Sequence, residues 1–175
     1  PASATLGPIG RGWGVAMTML TNERASIGGG AMYSFEQLSQ LARECGRDTD
    51  PVIRQRLADL YMRDRILTFL GYRVRTETAA GRMPGPESSV MKLAVSERYE
   101  VGGDLMLEIE GPAGALMGDD APFSGRFQDM FMGQWAPRIG GGTDEVQRNI
   151  IGERVLGLAG DIRADKTVPF RDLPK

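Results

Sequence analysis

At 175 residues and 41% hydrophobic content, the chain falls within the usual size of one domain and can bury a sizeable core. Its 21 basic and 23 acidic residues are interspersed, so a net charge of −2 gives no electrostatic footprint for nucleic acid or for an anionic membrane. With no histidine and one cysteine, Cys45, the chain excludes an intrachain disulfide, Ser-His and Cys-His catalysis and histidine-ligated metal, so proton transfer must use a carboxylate, lysine or tyrosine. No apolar run reaches the length of a membrane span and no charged-then-apolar leader opens the chain, which leads to the expectation of a soluble, cytoplasmic protein without a membrane partner. A start at Pro1 rather than Met leads to the further expectation that the natural protein is longer.

From Trp13 to Cys45, apolar residues recur at Met17, Leu20, Ile27, Ala31, Phe35, Leu38 and Ala42, the three-and-four spacing that predicts one long amphipathic helix. Asp50 then reads as an N-cap, with Pro51 in the first turn, and Ile53, Leu57, Leu60, Leu67, Leu70 and Val74 predict a second helix to about Thr78. After Gly81 and Pro84, a third stripe of Met91, Ala94, Val101, Leu105 and Ile109 stops at Gly111-Pro112. Residues 115–139 read mostly as loop, with a short aromatic-faced helix suggested by Phe123, Phe127, Phe131 and Trp135, each four apart. Gly140 to Gly142 lead into Thr143 as an N-cap, and Val146, Ile150, Ile151 and Val155 carry a last helix to about Leu158. Without periodicity after Gly160, residues 161–175 read as an extended tail. The fold class is therefore all-α, an up-and-down four-helix bundle over residues 1–160.

Few residues stand out chemically. Arg24 falls on the apolar stripe of the first helix and Glu23 flanks it; an ion buried there without a partner costs about 3–5 kcal/mol, so both must be paired, hydrated or turned to a ligand cavity. Both a structural ion pair and a functional site satisfy that condition. Gly28 to Gly30, within the same predicted helix, imply close approach to the backbone by a second helix or a flat ligand. The glycine run before Thr143 carries a weak anion signal, since no Walker lysine, preceding strand or GxGxxG accompanies it, and Asp144 and Glu145 would repel a phosphate in the first turn. The ten methionines suit either soft core filling or an adaptable acyl pocket.

Taken together, GWGVAMTMLTNERASIGGG at 12–30 and GGGTDEVQRNIIGERVLGL at 140–158, with GPAG at 111–114, resemble the C-terminal helical domain of the acyl-CoA dehydrogenase family. The resemblance implies an N-terminal helical domain and a middle β-domain that this chain does not contain, with flavin adenine dinucleotide (FAD) between the middle domain and the bundle. It implies oxidation of an acyl-CoA thioester to the trans-2-enoyl form, an electron-transfer flavoprotein as acceptor, assembly as a homo- or hetero-oligomer, and inactivity of the bundle by itself. In the family the base either precedes the Gly-Thr pair opening the last helix, here Gly141, or precedes an arginine on the first bundle helix, here Glu23. Glu23 is therefore the expected base, with Arg24 contacting the CoA or ordering the base.

Expected flavin contacts are the turn from Gly111 to Gly114 together with Thr143, Asp144 and Glu145, some of them serving a neighbouring subunit's flavin. Two departures stand out. The basic Arg-Lys-x-Phe-Gly link of the family is replaced by ECGRDTDP, where Arg47 is the available substitute, and Glu108 stands where a glutamine commonly precedes the glycine turn. They open the alternative of a non-catalytic or flavin-poor partner subunit in a heteromeric dehydrogenase. An unrelated structural bundle is the remaining alternative.

Overall fold

The computed structural model describes residues 2–27, 32–82, 85–160, 168 and 170–172, and among them every regular element is helical. Seven α-helices appear in this order: α1 Gly12–Ile27, α2 Phe35–Glu44, α3 Pro51–Ala79, α4 Glu87–Glu110, α5 Arg126–Gly133, α6 Ala136–Ile139 and α7 Asp144–Ile150. The all-α expectation holds, with one change to its first element.

That change is a break in the first long helix. A new helix starts at Ser34, whose hydroxyl accepts from Gln37 N–H at 3.3 Å while the Ser34 N–H donates to Gln37 Oε1 at 2.8 Å. This reciprocal cap satisfies donors that a continuous helix would have used internally, so the chain enters α2 afresh. Gly28 to Gly30 lie outside the described residues, as does most of the predicted tail. Asp50 caps α3 as expected, its Oδ1 accepting from Val52 N–H at 2.9 Å and Ile53 N–H at 3.3 Å, with Pro51 pre-set for the first turn.

The centre of the bundle is α4, which packs against α1, α2, α3, α5, α6 and α7. The core lies on its inner side, where Val95, Tyr99, Leu105, Met106 and Ile109 meet Leu38, Leu41 and Ala42 of α2, Ile53, Leu57 and Leu60 of α3, and Phe127 of α5. Tyr33, just before α2, is locked into this core. Its hydroxyl donates to the carbonyls of Arg98 and Tyr99 at 2.9 and 3.0 Å, filling space that a side chain at Gly102 would occupy. Arg98 in turn covers the Tyr33 ring at 4.2 Å and pairs with Asp64 of α3 at 2.6 Å, joining three elements through one guanidinium.

The aromatic-faced helix is shorter than its four predicted residues. It is α5, and Phe123 stands in the preceding turn with φ +54°, while Trp135 follows the helix end. Of the four, Phe127 enters the core, and Phe123 meets it edge-on at 5.4 Å. Beyond α7 the chain continues helically but widens into a π turn over Ile151–Val155. Among the described residues, no helix is long and apolar enough to cross a membrane.

Candidate active site where the first and last helices meet

Two alternative positions for the base, 118 residues apart in sequence, are in contact. The Gly141 N–H donates to Oε1 of Glu23 at 3.1 Å, so the carboxylate on α1 is held against the loop that opens α7. Gly141 and Gly142 have φ of +67° and +93°, left-handed conformations that glycine adopts without the penalty a Cβ imposes. The carbonyls of these two glycines accept from Nε2 of Gln147 at 3.0 and 3.1 Å. Gln147 is fully buried, and because helical side chains lean toward the N-terminus, its amide reaches back one turn to the loop. Arg24 is one residue along α1; its side chain lies outside the described part of the structure.

Thr143 caps α7 as predicted, accepting from Val146 N–H at 3.3 Å. Asp144, in the first turn as expected, points into the bundle. Lys92 Nζ of α4 pairs with its Oδ1 at 2.9 Å, Arg138 Nε with its Oδ2 at 3.2 Å, and the Lys92 and Asp144 side chains are 1% and 3% exposed. Burial pushes the Asp144 carboxyl upward, but hydrogen bonds from Lys92 and Ser96 and the two cations outweigh it and hold the group below the usual carboxylate range. Arg138 also pairs with Glu100 at 2.9 Å. The predicted repulsion between Asp144 and a phosphate is thereby removed, since its charge is compensated inside the bundle. Glu145 remains at the surface, its carboxyl lowered by its own backbone N–H and by the Thr143 hydroxyl.

The Gly111–Ala115 turn lies at the other end of α4. A Cβ on Gly114 would stand 2.9 Å from the Leu107 carbonyl, so this glycine is required by the tight return of the chain onto α4. Gly111 has φ +63°, and Arg47 Nη1 lies 3.8 Å from where its Cβ would be, placing the substitute basic residue beside the turn. Arg47 also pairs with Asp50 at 2.8 Å, and Arg56 pairs with Glu108, so both nearby acids are compensated. A guanidinium beside Gly111, which carries no side chain, suits an anionic group such as a pyrophosphate. From Lys92 to Gly111 is 19 residues of helix, about 28 Å at 1.5 Å per residue, so the candidate cofactor residues form two separated surfaces.

Sequence reasoning missed Lys92, Arg138 and Gln147. Two of them left a signal: Lys92 interrupts the apolar run VMKLAV, and Gln147 stands three and four residues before Ile150 and Ile151, on the side of α7 read as apolar. A cleft of about 520 Å³ between α2 and α3, lined by Phe35, Arg43, Asp48, Arg54 and Tyr61 among others, shares no lining residue with either surface.

Comparison with known proteins places this arrangement. A family model described as acyl-CoA dehydrogenase, C-terminal domain, matches residues 10–156. The acyl-CoA dehydrogenase IpdE1 of Mycobacterium tuberculosis is 36% identical over 167 residues, covering 90% of this chain and 41% of that protein. IpdE1 of Mycolicibacterium smegmatis is 32% identical over 170 residues, covering 93% and 41%. Among solved structures, the Tcur3481-Tcur3483 steroid ACAD superposes with a TM-score of 0.80 at 24% identity, over 92% of this chain and 43% of that one. The ChsE4-ChsE5 complex from Mycobacterium tuberculosis gives 0.65 at 24% identity, over 86% and 42%. These structural likenesses show the fold, and the chain spans about two-fifths of the length of the curated relatives it matches. With the family model spanning both the Glu23 helix and the glycine loop it touches, the chain belongs to the acyl-CoA dehydrogenase family through that family's C-terminal domain.

Proposed function

We propose that this chain supplies the C-terminal bundle of a flavin-dependent acyl-CoA dehydrogenase that converts an acyl-CoA thioester to its trans-2-enoyl form, with Glu23 as the base. The observation that carries the reading is the 3.1 Å contact between the Glu23 carboxylate and the Gly141 N–H. It puts a carboxylate on α1 at the very loop where other family members carry theirs, and a carboxylate held by a backbone donor is positioned to remove a proton from the α-carbon. In that step the α C–H bond breaks and the proton passes to Glu23. FAD, when bound, supplies the acceptor for the hydride leaving the β-carbon. Arg24, adjacent on α1, is assigned to the CoA moiety or to ordering Glu23, and an electron-transfer flavoprotein is the expected electron acceptor in a cytoplasmic setting.

Thr143, Asp144 and Glu145 at one surface and Gly111, Gly114 and Arg47 at the other are the flavin candidates. Their separation along α4 supports an assembly in which each surface serves a different FAD, one of them across a subunit boundary. Asp144 is fixed there at the start of α7 by Lys92 and Arg138. The same reading makes the bundle inactive without an N-terminal helical domain and a middle β-domain.

A second reading, a flavin-poor partner subunit in a heteromeric dehydrogenase, is favoured by a different observation. Two structural neighbours, the Tcur3481-Tcur3483 steroid ACAD and the ChsE4-ChsE5 complex, carry paired names, and Trp13 and Met19 of α1, together with Ile66 and Phe69 of α3, present uncovered apolar surface. Anaerobic bleaching of flavin absorbance in the complete enzyme by a panel of acyl-CoA thioesters, steroid-derived ones included, separates the two. Bleaching that disappears in a folded, flavin-loaded Glu23→Gln variant supports the base. Normal bleaching by that variant refutes it, and a complete protein without flavin favours the partner-subunit reading.

A further inference from the structure

We infer that Gln147 is a positioning residue for Glu23, acting through the peptide units of Gly141 and Gly142; the inference rests on Glu23 being the base. Gly140 to Gly142 are three glycines in succession, a composition of high backbone freedom, and a loop of that kind does not hold an N–H on target by itself. Gln147 spends both hydrogens of its amide on it. Nε2 donates to the carbonyls of Gly141 and Gly142, at 3.0 and 3.1 Å, and the side chain is completely buried, so the loop is tied to the first turn of α7 at two successive peptide units. With those units fixed, the left-handed dihedrals of Gly141 and Gly142 are set, and the Gly141 N–H points at Glu23 Oε1.

The chemistry of the position is specific. Both partners are carbonyl acceptors, so a glutamate at 147 would set a third acceptor against them, and an apolar side chain would withdraw both donated hydrogens. Oε1 of Gln147 has no hydrogen-bond partner among the described residues, so the side chain is retained there for its donor end. The ion pair of Lys92 and Asp144 fixes residue 144, downstream of the loop, whereas Gln147 acts on the glycines themselves.

The test is a double-mutant cycle in the flavin-loaded holoenzyme containing this bundle, read as the rate of anaerobic flavin reduction by saturating acyl-CoA thioester. Gln147→Met is expected to slow reduction on the order of 10²-fold, the scale of an ångström of misplacement at a reacting group, while half-saturation and flavin content stay as in the parent. Added to Glu23→Gln it is expected to cost nothing more, because the group it positions is already gone. A parent-like rate for Gln147→Met overturns the inference, and so does the same fold-loss in both backgrounds, which marks a residue that only supports the fold. If Gln147→Met fails to fold, Gln147→Asn, with its amide one methylene short of the loop, enters the same cycle. A second readout does not depend on the reaction: the 1H–15N resonance of the Gly141 amide moves on Glu23→Gln in the parent and is expected to stop responding after Gln147→Met. An equal response in both backgrounds overturns the clamp. Normal flavin reduction by Glu23→Gln, with the resonance coupling present, instead overturns Glu23 as the base, so the two failures are distinguishable.

Discussion

The two halves of α3 carry similar apolar spacing and meet different fates. In the first, Ile53, Leu57 and Leu60 are buried against α2 and α4. In the second, Ile66, Phe69 and Tyr72 are more than half exposed; Phe69 and Tyr72 meet edge-on, with Arg65 over the Phe69 ring and Arg75 over the Tyr72 ring. Hydrophobic periodicity establishes that a segment is helical and which face is apolar; it does not say what covers that face. Within this chain the first half is complete, while the second half presents a surface suited to another domain or subunit.

The largest expected effect lies beside that comparison, on the covered side of the bundle, at Lys92 of α4. Lys92→Met leaves the Asp144 carboxylate buried with Arg138 as its remaining cation, and a loss of about 3–5 kcal/mol is expected, toward the lower end because Arg138 stays. Chemical denaturation at neutral pH measures it, and replacing Asp144 by leucine in the same chain should recover much of the loss. The pH dependence has a definite sign. The Asp144 carboxyl is lower in the folded state than unfolded, so its contribution is complete above the unfolded value, about 4, and is lost as pH falls through the folded one. A Lys92→Met variant with parental stability and an unchanged acid limb would mean the pair does not hold α7.

Next in size is Leu60→Ala, at the last buried position of the covered half. Leu60 is 0% exposed, and truncation should cost about 3 kcal/mol through lost burial and a residual cavity. A loss below half that amount would indicate that the core closes around the gap.

Much of this was legible in the sequence, for reasons visible in particular residues. Asp50-Pro51 and Thr143 marked helix starts because capping is local chemistry, and Gly111-Pro112 marked an end for the same reason. The break before α2 was hidden because the apolar stripe continues in register from Ile27 to Phe35 and Leu38, although Ser34 and Gln37 carry the signature of a new start. The inward turn of Asp144 was hidden for another reason. A first-turn acid ordinarily faces solvent, and only the arrival of Lys92 and Arg138 from other elements turns it inward. Glu23 stood out beside an apolar stripe and was assigned as base through the resemblance, while its Gly141 partner is a tertiary contact that no local pattern encodes.

A smaller effect of opposite sign is expected at Glu110, near the edge of the covered half. Burial pushes its carboxyl up, while Gln128, donating at 2.6 Å, pulls it part of the way back. Since the folded value exceeds the unfolded one, stability is greatest below the unfolded value and declines as pH rises through the folded one. Glu110→Gln removes the buried charge, so it should raise the melting midpoint at neutral pH by about 2–4 °C and flatten that decline. A melting curve that falls at pH 7 would show that the carboxylate has a cation not yet counted.

The smallest effect should come from the uncovered half. Phe69 is 55% exposed, and its ring contacts Tyr72 and Arg65 from its own helix, so Phe69→Ser in this chain should change stability by no more than about 0.5 kcal/mol. The same substitution in the complete assembly distinguishes two accounts of the surface. If a domain or subunit covers it, the variant loses association at concentrations where the parent remains assembled, because an aromatic anchor buried at an interface is worth several-fold more there than in the free chain. Sedimentation at graded protein concentration reads the difference. Unchanged assembly would assign Phe69 to solvent and leave Leu67, which packs against the core, as the second half's contribution to the bundle.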